Sequence, residues 1–214
     1  MKKILILTCT IALFLVANAC KTTHEASSVI TRTDPNTIIA EADIDFDQNG
    51  ELEKLYVRIF TGELKEETEP GPYIGIYYEG VFRLELTAKD GTILHTLDLN
   101  PTFGNESLIF HENRDFDILF EDYNDDGYPD FSIGQYLSSN GFTYNLYSLM
   151  PEGITLLHRN LFTSDGRYSI LYEKTGNTSF TNQYYDSAKG SEMETLFTWQ
   201  GDRFVRTECE GCGL

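Results

Sequence analysis

The sequence predicts an all-β chain: a single antiparallel β domain, propeller-like or sandwich-like, spanning 37–214. Three observations carry that expectation. Apolar and polar residues alternate over short runs. In Val81-Phe82-Arg83-Leu84-Glu85-Leu86 one face holds Phe82, Leu84 and Leu86; in Phe116-Asp117-Ile118-Leu119-Phe120 it holds Phe116, Ile118 and Phe120. A period of two, filled by aromatic and apolar residues, marks a strand with one buried face. Turn signals punctuate these runs at Glu79-Gly80, Asp90-Gly91, Pro151-Glu152-Gly153, Asp165-Gly166 and Gly201-Asp202. No amphipathic run of about ten residues or more interrupts them, so no long helix is expected.

The elements follow in chain order. Met1-Lys2-Lys3 is a positive head, Ile4 to Val16 is apolar apart from Thr8, Cys9 and Thr10, and Ala17-Asn18-Ala19 supplies small residues before Cys20. That arrangement is a secretory signal, 1–19. Its apolar run is shorter than the ~20 residues a spanning helix needs. The Ala19-Cys20 junction resembles the lipobox of bacterial lipoproteins, with Ala17 where that family usually has Leu. The resemblance implies cleavage before Cys20 and a diacylglycerol on its thiol; a plain signal cut that leaves Cys20 free is the alternative. Polar residues from 20 to 36, with Ser27-Ser28 and Asp34-Pro35, read as a lipidated flexible tether. Strands are expected from Ile38 to Ile44, Leu55 to Phe60, Phe116 to Glu121 and Phe131 to Tyr136. Glu63 to Glu69, rich in glutamate and followed by Pro70-Gly71-Pro72, reads as a solvated loop. Thr198 to Val205, turning at Gly201-Asp202, reads as a closing hairpin.

Removing the signal takes away Lys2 and Lys3 and no acid, so the net charge moves from −18 to −20. Such a surface repels nucleic acid and anionic headgroups, and it favours cations and basic proteins. Aromatic residues make up 13% of the chain, enough to build a core. Beyond Cys9 and Cys20 the cysteines are Cys209 and Cys212, in Cys-Glu-Gly-Cys. Outside the cytoplasm they suit a small local disulfide, or they stay idle thiols. A zinc site would need a second pair.

Two segments share one pattern. Asp45-Phe46-Asp47-Gln48-Asn49-Gly50-Glu51-Leu52-Glu53 and Asp122-Tyr123-Asn124-Asp125-Asp126-Gly127-Tyr128-Pro129-Asp130 both carry oxygen-bearing side chains at positions one, three, five and nine, with glycine at six. Short carboxylates and amides at one, three and five aim oxygens inward, glycine permits the turn, and the carbonyl of residue seven (Glu51 or Tyr128) adds a ligand. Residue nine, Glu53 or Asp130, closes the shell. Calcium takes about six to eight such oxygens. An EF-hand would put Glu at position twelve between two helices; here Tyr56 and Ile133 stand there, and the flanks read as strands. The expectation is therefore a pair of strand–loop–strand calcium turns, with plain acidic hairpin turns as the competing reading.

The second loop and its flanks, Phe120 to Phe131, resemble the calcium turns of FG-GAP and VCBS repeats. From about Thr37 to Arg206 the chain resembles single-domain exported proteins that include calcium-binding immunity proteins and periplasmic inhibitors of invertebrate-type lysozymes. Those inhibitors plug the lysozyme cleft with a Ser-Gly-x-Tyr loop. The nearest match here is Ser139-Asn140-Gly141-Phe142-Thr143-Tyr144, so the resemblance implies partner binding by Ser139 and Tyr144, with a plain hairpin as the alternative. No His-Glu-x-x-His helix and no Gly-x-Ser-x-Gly elbow occurs in the sequence. The function expected is a non-enzymatic, calcium-binding, membrane-anchored lipoprotein of the cell envelope. Its partner is a protein or an envelope glycan, and inhibition of a cell-wall hydrolase is one form of that role. An envelope glycan hydrolase and an adhesive or structural surface module are the alternatives.

Overall fold

A computed structural model describes residues 28–32, 34, 36–139 and 141–208. The signal 1–19, Cys20, the tether as far as residue 27, Asn140, Cys209 and Cys212 lie outside the described residues. The chain forms three antiparallel sheets, and the all-β expectation holds. The first contains β1 (Ser28–Arg32), β2 (Ile38–Ile44), β3 (Glu53–Glu67), β4 (Gly75–Thr87), β5 (Ile93–Asp98) and β6 (Leu108–His111). A 3-10 turn, Asn100–Phe103, separates β5 from β6. The second sheet contains β7 (Phe120–Glu121), β8 (Asp130–Ser138), β9 (Gly141–Met150) and β10 (Gly153–Thr163). The third contains β11 (Glu173–Gly176), β12 (Ser179–Asp186), β13 (Ser191–Trp199) and β14 (Phe204–Glu208).

Each sheet is built on a meander of consecutive strands: β2 to β5, β7 to β10 and β11 to β14. Both acidic loops are the first connection of their meander, β2 to β3 and β7 to β8. The second sheet touches both others, through β10 against β5 and β12 and through β8 against β6. Its central strand β8 is therefore buried on both faces from Asp130 to Gln135. Elsewhere the period of two survives: Leu55, Val57 and Ile59 of β3 and Phe82, Leu84 and Leu86 of β4 are buried. Rings of β10 meet the third sheet, His158 on Phe197 and Phe162 on Tyr184, and other rings fill the core around them. Phe110 of β6 packs on Phe82 and Tyr168, and Phe180 of β12 packs on Tyr123, Phe197 and Phe204. The closing hairpin is present, with Trp199 opposite Phe204 and Thr198 opposite Val205.

Four expectations are corrected. Ser28–Arg32, expected in the tether, pairs with Glu63–Glu66 of β3 as a strand. The acidic run from Glu63 to Glu67 is likewise strand, because it has β1 on one side and β4 on the other. Lys65 sits between Glu79 at 2.8 Å and Glu63 at 3.8 Å and offsets part of the like charge. Glu79-Gly80 is no turn: Gly80 lies inside β4, opposite Gly62. A Cβ on Gly80 would stand 2.2 Å from the Thr61 carbonyl oxygen, so glycine is there for close approach. Finally, of the run from Phe116 only Phe120–Glu121 pairs as strand. Its inward residues stay inward, with Phe116 stacked on Phe110 and Ile118 buried, but the Leu119 amide bonds the Ser169 hydroxyl instead of a neighbouring strand.

Candidate metal centre

Residue one of each loop, Asp45 or Asp122, directly follows the last residue of a strand, residue nine, Glu53 or Asp130, begins the next, and residue two is a buried anchor, Phe46 or Tyr123. The two loops fold alike. Position four is left-handed in both, Gln48 at φ 59° and Asp125 at φ 60°; position six is glycine, at φ 88° and 85°. A side chain with a Cβ is disfavoured there, which is why glycine closes the turn. The Gly50 amide donates to Asp45 Oδ2 at 3.0 Å, and the Gly127 amide donates to Asp122 Oδ2 at 3.0 Å. The amide of residue two donates to residue nine: Phe46 to Glu53 at 3.4 Å, Tyr123 to Asp130 at 2.9 Å. Positions three and five exchange Asp and Asn between the loops. The pairing is kept, with Asn49 Nδ2 donating to Asp47 at 3.0 Å and Asn124 Nδ2 to Asp126 at 2.8 Å. The amide of residue seven donates to residue five in both: Glu51 to Asn49 Oδ1 and Tyr128 to Asp126 Oδ1.

Three carboxylates converge in the first loop. Asp45, Asp47 and Glu53 each place an oxygen within 4.8 Å of the others, a group that could hold a metal ion. At that separation each pair of unit charges repels by about 3 kcal/mol in an effective dielectric near 20. Asp45 Oδ1 is buried with no hydrogen-bond partner. In the second loop the orphan is Asp130 Oδ1, on a side chain with no exposed surface. Burial pushes the Asp130 carboxyl up to about 7, and Asp126 and Asp122 push in the same direction; the Tyr123 amide only partly opposes this. A buried carboxylate oxygen without a donor is costly, and such a vacancy in hydrogen bonding is met by a cation or an ordered water.

The loops also touch each other, which spacing alone did not reveal. Gln48 Nε2 donates to the Gly127 carbonyl at 2.7 Å. Asn177, in the corresponding first turn of the third meander, donates to Asp125 Oδ2 at 3.4 Å. Lys174 of β11 binds Glu121 at 3.3 Å and also the carbonyl of Asp122. The three turns therefore lie in series. No sequence signal marks Gln48, Lys174 or Asn177 for this, because each acts across roughly fifty residues or more of chain.

Of the expected partner-binding residues, Tyr144 is corrected. Tyr144 lies in β9 with no exposed surface; its ring packs over Gly134, and its hydroxyl donates to the carbonyls of Arg167 at 2.6 Å and Asp165 at 3.2 Å. It cannot meet a partner, because the inward face of a strand in the middle of the molecule points at the core. Ser139 is exposed at the β8–β9 connection. The described histidines stand apart from the carboxylate loops' oxygens: His95 packs edge-on to Phe46, His111 bonds the Tyr168 hydroxyl and His158 lies against Phe197. Compared with known proteins, the chain matches no family model, no curated protein and no solved structure.

Proposed function

We propose that this chain is a calcium-binding lipoprotein domain of the cell envelope that acts as a non-enzymatic binding module. The observation that carries the reading is the matched pair of loops, alike in backbone at positions four and six, touching through Gln48, and each keeping one buried carboxylate oxygen without a partner. Asp45, Asp47, Asn49 and Glu53 would hold one ion, with the Glu51 carbonyl. Asp122, Asn124, Asp126 and Asp130 would hold the other, with the Tyr128 carbonyl. Calcium fits the donor set better than magnesium, since it takes about six to eight oxygens in irregular geometry, whereas magnesium demands a near-ideal octahedron and keeps its waters. When bound, the ion supplies charge neutralisation and pins the first hairpin of each meander. The lipid anchor at Cys20 and a macromolecular partner complete the reading, and the acidic surface steers basic partners.

Thermal unfolding tests it. An ion that binds only the folded chain adds about 2.7 kcal/mol at a hundredfold excess over its dissociation constant. Each kcal/mol is worth about 2–4 °C in a domain of this size. Chelator should lower the melting temperature by several degrees and calcium should restore it, with magnesium restoring little. A melting temperature indifferent to chelator, in protein that carries no metal, overturns the reading.

A further inference from the structure

The geometry points to a carbohydrate-binding groove between the 3-10 turn and the second sheet, built for a neutral, polyhydroxylated sugar chain. This rests on the reading of the domain as an extracytoplasmic binding module, but not on its cations. The groove encloses about 400 Å³ and is lined by Tyr73, Phe103, Glu106, Tyr136, Arg159 and Asn160 among others. That volume falls within the range of small-molecule sites, about 300–1,000 Å³.

The walls are held in place by one buried side chain. The register of β10 against β9 shifts between His158 and Leu161, and Asn160 there is left-handed at φ 60°. This bulge leaves Arg159 and Asn160 exposed as neighbours at the groove, whereas an unbroken strand would send them to opposite faces. Asn145, fully buried in β9, accepts from the Asn160 amide at 3.1 Å and donates to the Thr102 carbonyl of the 3-10 turn at 2.9 Å. It therefore ties the bulge to the opposite wall. The Arg159 guanidinium is fixed as well: Nη1 donates to the carbonyls of Thr102 at 2.7 Å and Pro101 at 3.3 Å. Its Nε and Nη2, the Asn160 amide group and the Glu106 carboxylate make no hydrogen bond to the described residues, so they remain available to a ligand.

The chemistry of these groups selects the ligand. Tyr73 and Tyr136 meet edge to face, with centroids 5.5 Å apart and planes at 75°, and form an aromatic corner. Leu137, 59% exposed, lines the groove beside them and lengthens the apolar rim. Aromatic faces pack on the C–H faces of a pyranose, while guanidinium, carboxylate and amide groups take adjacent hydroxyls in pairs. One positive and one negative side chain leave no net preference for charge. An extended peptide is disfavoured, because the β6 amides that would pair with it are already capped. The Ile109 amide donates to Gln135 Oε1 at 2.9 Å and the His111 amide to the Tyr168 hydroxyl at 2.8 Å. Strand addition needs that edge open.

The test is titration of the mature chain with chitotetraose, cellotetraose and maltotetraose, with tetralysine as the peptide control, followed by calorimetry and by tyrosine difference absorption. Saturable binding of at least one sugar is expected, weakened at least about tenfold by Tyr136→Ala and by Arg159→Ala. Glu106→Gln, an exposed change that leaves the fold alone, should weaken it in the same assay at an unaltered melting temperature. No sugar binding up to about 10 mM, binding of tetralysine alone, or variants that bind like the parent would each overturn the inference. Each titration is run in calcium and in chelator. A calcium-dependent melting temperature without sugar binding removes this inference alone. Sugar binding without any calcium response removes the calcium reading alone.

Discussion

Asp130 begins β8 with its carboxylate shut away from water, accepting one amide and leaving one oxygen unmet. Without a cation that charge costs stability; with one it is the ligand that closes the loop. Asp130→Asn keeps the shape and removes the charge, so its effect should change sign with the ion. In chelator, at a pH above about 7 where the parent's Asp130 carboxyl is ionised, the variant should melt at or above the parent, because no uncompensated charge is buried, by about 2–4 °C for each kcal/mol of relieved penalty. In excess calcium it should melt below the parent. Melting curves of both proteins in both buffers check this, and a variant that is less stable in both would count against a cation at this loop. His158 offers a second test. Packed against Phe197 and Phe204, its imidazole has its pKa lowered by burial below the usual 6.5; His111 is lowered too, chiefly by burial and then by Arg114. A base whose pKa folding depresses holds its proton better when unfolded, so its contribution is intact above about 6.5 and drains away as pH falls below it. The carboxylates of this acidic chain titrate as well, so the readout is the comparison with His158→Leu. Between about pH 7.5 and pH 5.5 the variant should lose less stability than the parent does.

Among elements, the two acidic hairpins are linked directly, because Gln48 of the first donates to the Gly127 carbonyl of the second. Gly127 also donates to Asp122, so the link bears on the backbone that shapes the second loop. Gln48→Ala removes this link without touching any carboxylate. At the parent's saturating calcium it should still bind both ions. The stabilisation by calcium should shrink by about 1 kcal/mol, the worth of one hydrogen bond. Calorimetric titration should show the two loops filling more independently than in the parent. Equal curves for variant and parent would mean that the contact carries no coupling. The same scale explains the glycines of the first sheet. β3 and β4 approach at the Gly62–Gly80 pair so closely that a side chain on either would meet backbone, and beyond that pair β4 exchanges β5 for β6 as its other partner.

For the whole molecule, the meanders lie in sequence order, their first turns in contact and their cores joined by aromatic rings across the sheets. A cation at these turns would therefore act on the relation between sheets as well as on each hairpin. The charge of −18 sets what the surface attracts, and the anchor proposed at Cys20 sets where it does so. Cys20→Ser should shift the protein out of the membrane fraction or halt its processing at the signal. Fractionation and the mass of the mature N-terminus check this, and unchanged processing with unchanged membrane retention would refute lipidation. A single acyl group gives only marginal membrane attachment, so the full diacylglycerol is what should be missing from the variant.

Much of this molecule was legible in the sequence because the information is local. The alternation of Phe82, Leu84 and Leu86 names the buried face of β4, Ile38 to Ile44 gives β2 its full extent, and the one-three-five-nine oxygens with glycine at six give two loops of the same form. Other features depend on partners far along the chain. Glu63–Glu67 is a strand only because β1 and β4 flank it, and Gly80 reads as a turn until Gly62 lies opposite. Tyr144 reads as part of a presented loop until its ring packs over Gly134. The loops' charge followed the same rule: their composition is local, whereas the burial of Asp130 and the gathering of Asp45, Asp47 and Glu53 come from strands packed around them. The sequence by itself determined which side chains alternate, where chain can turn and which oxygens share a loop, since each follows from neighbouring residues. Tertiary structure alone decided which carboxylate is cut off from water, which turns meet and which polar groups are left free in the groove. Those depend on low-dielectric surroundings and contacts that only the packed sheets supply.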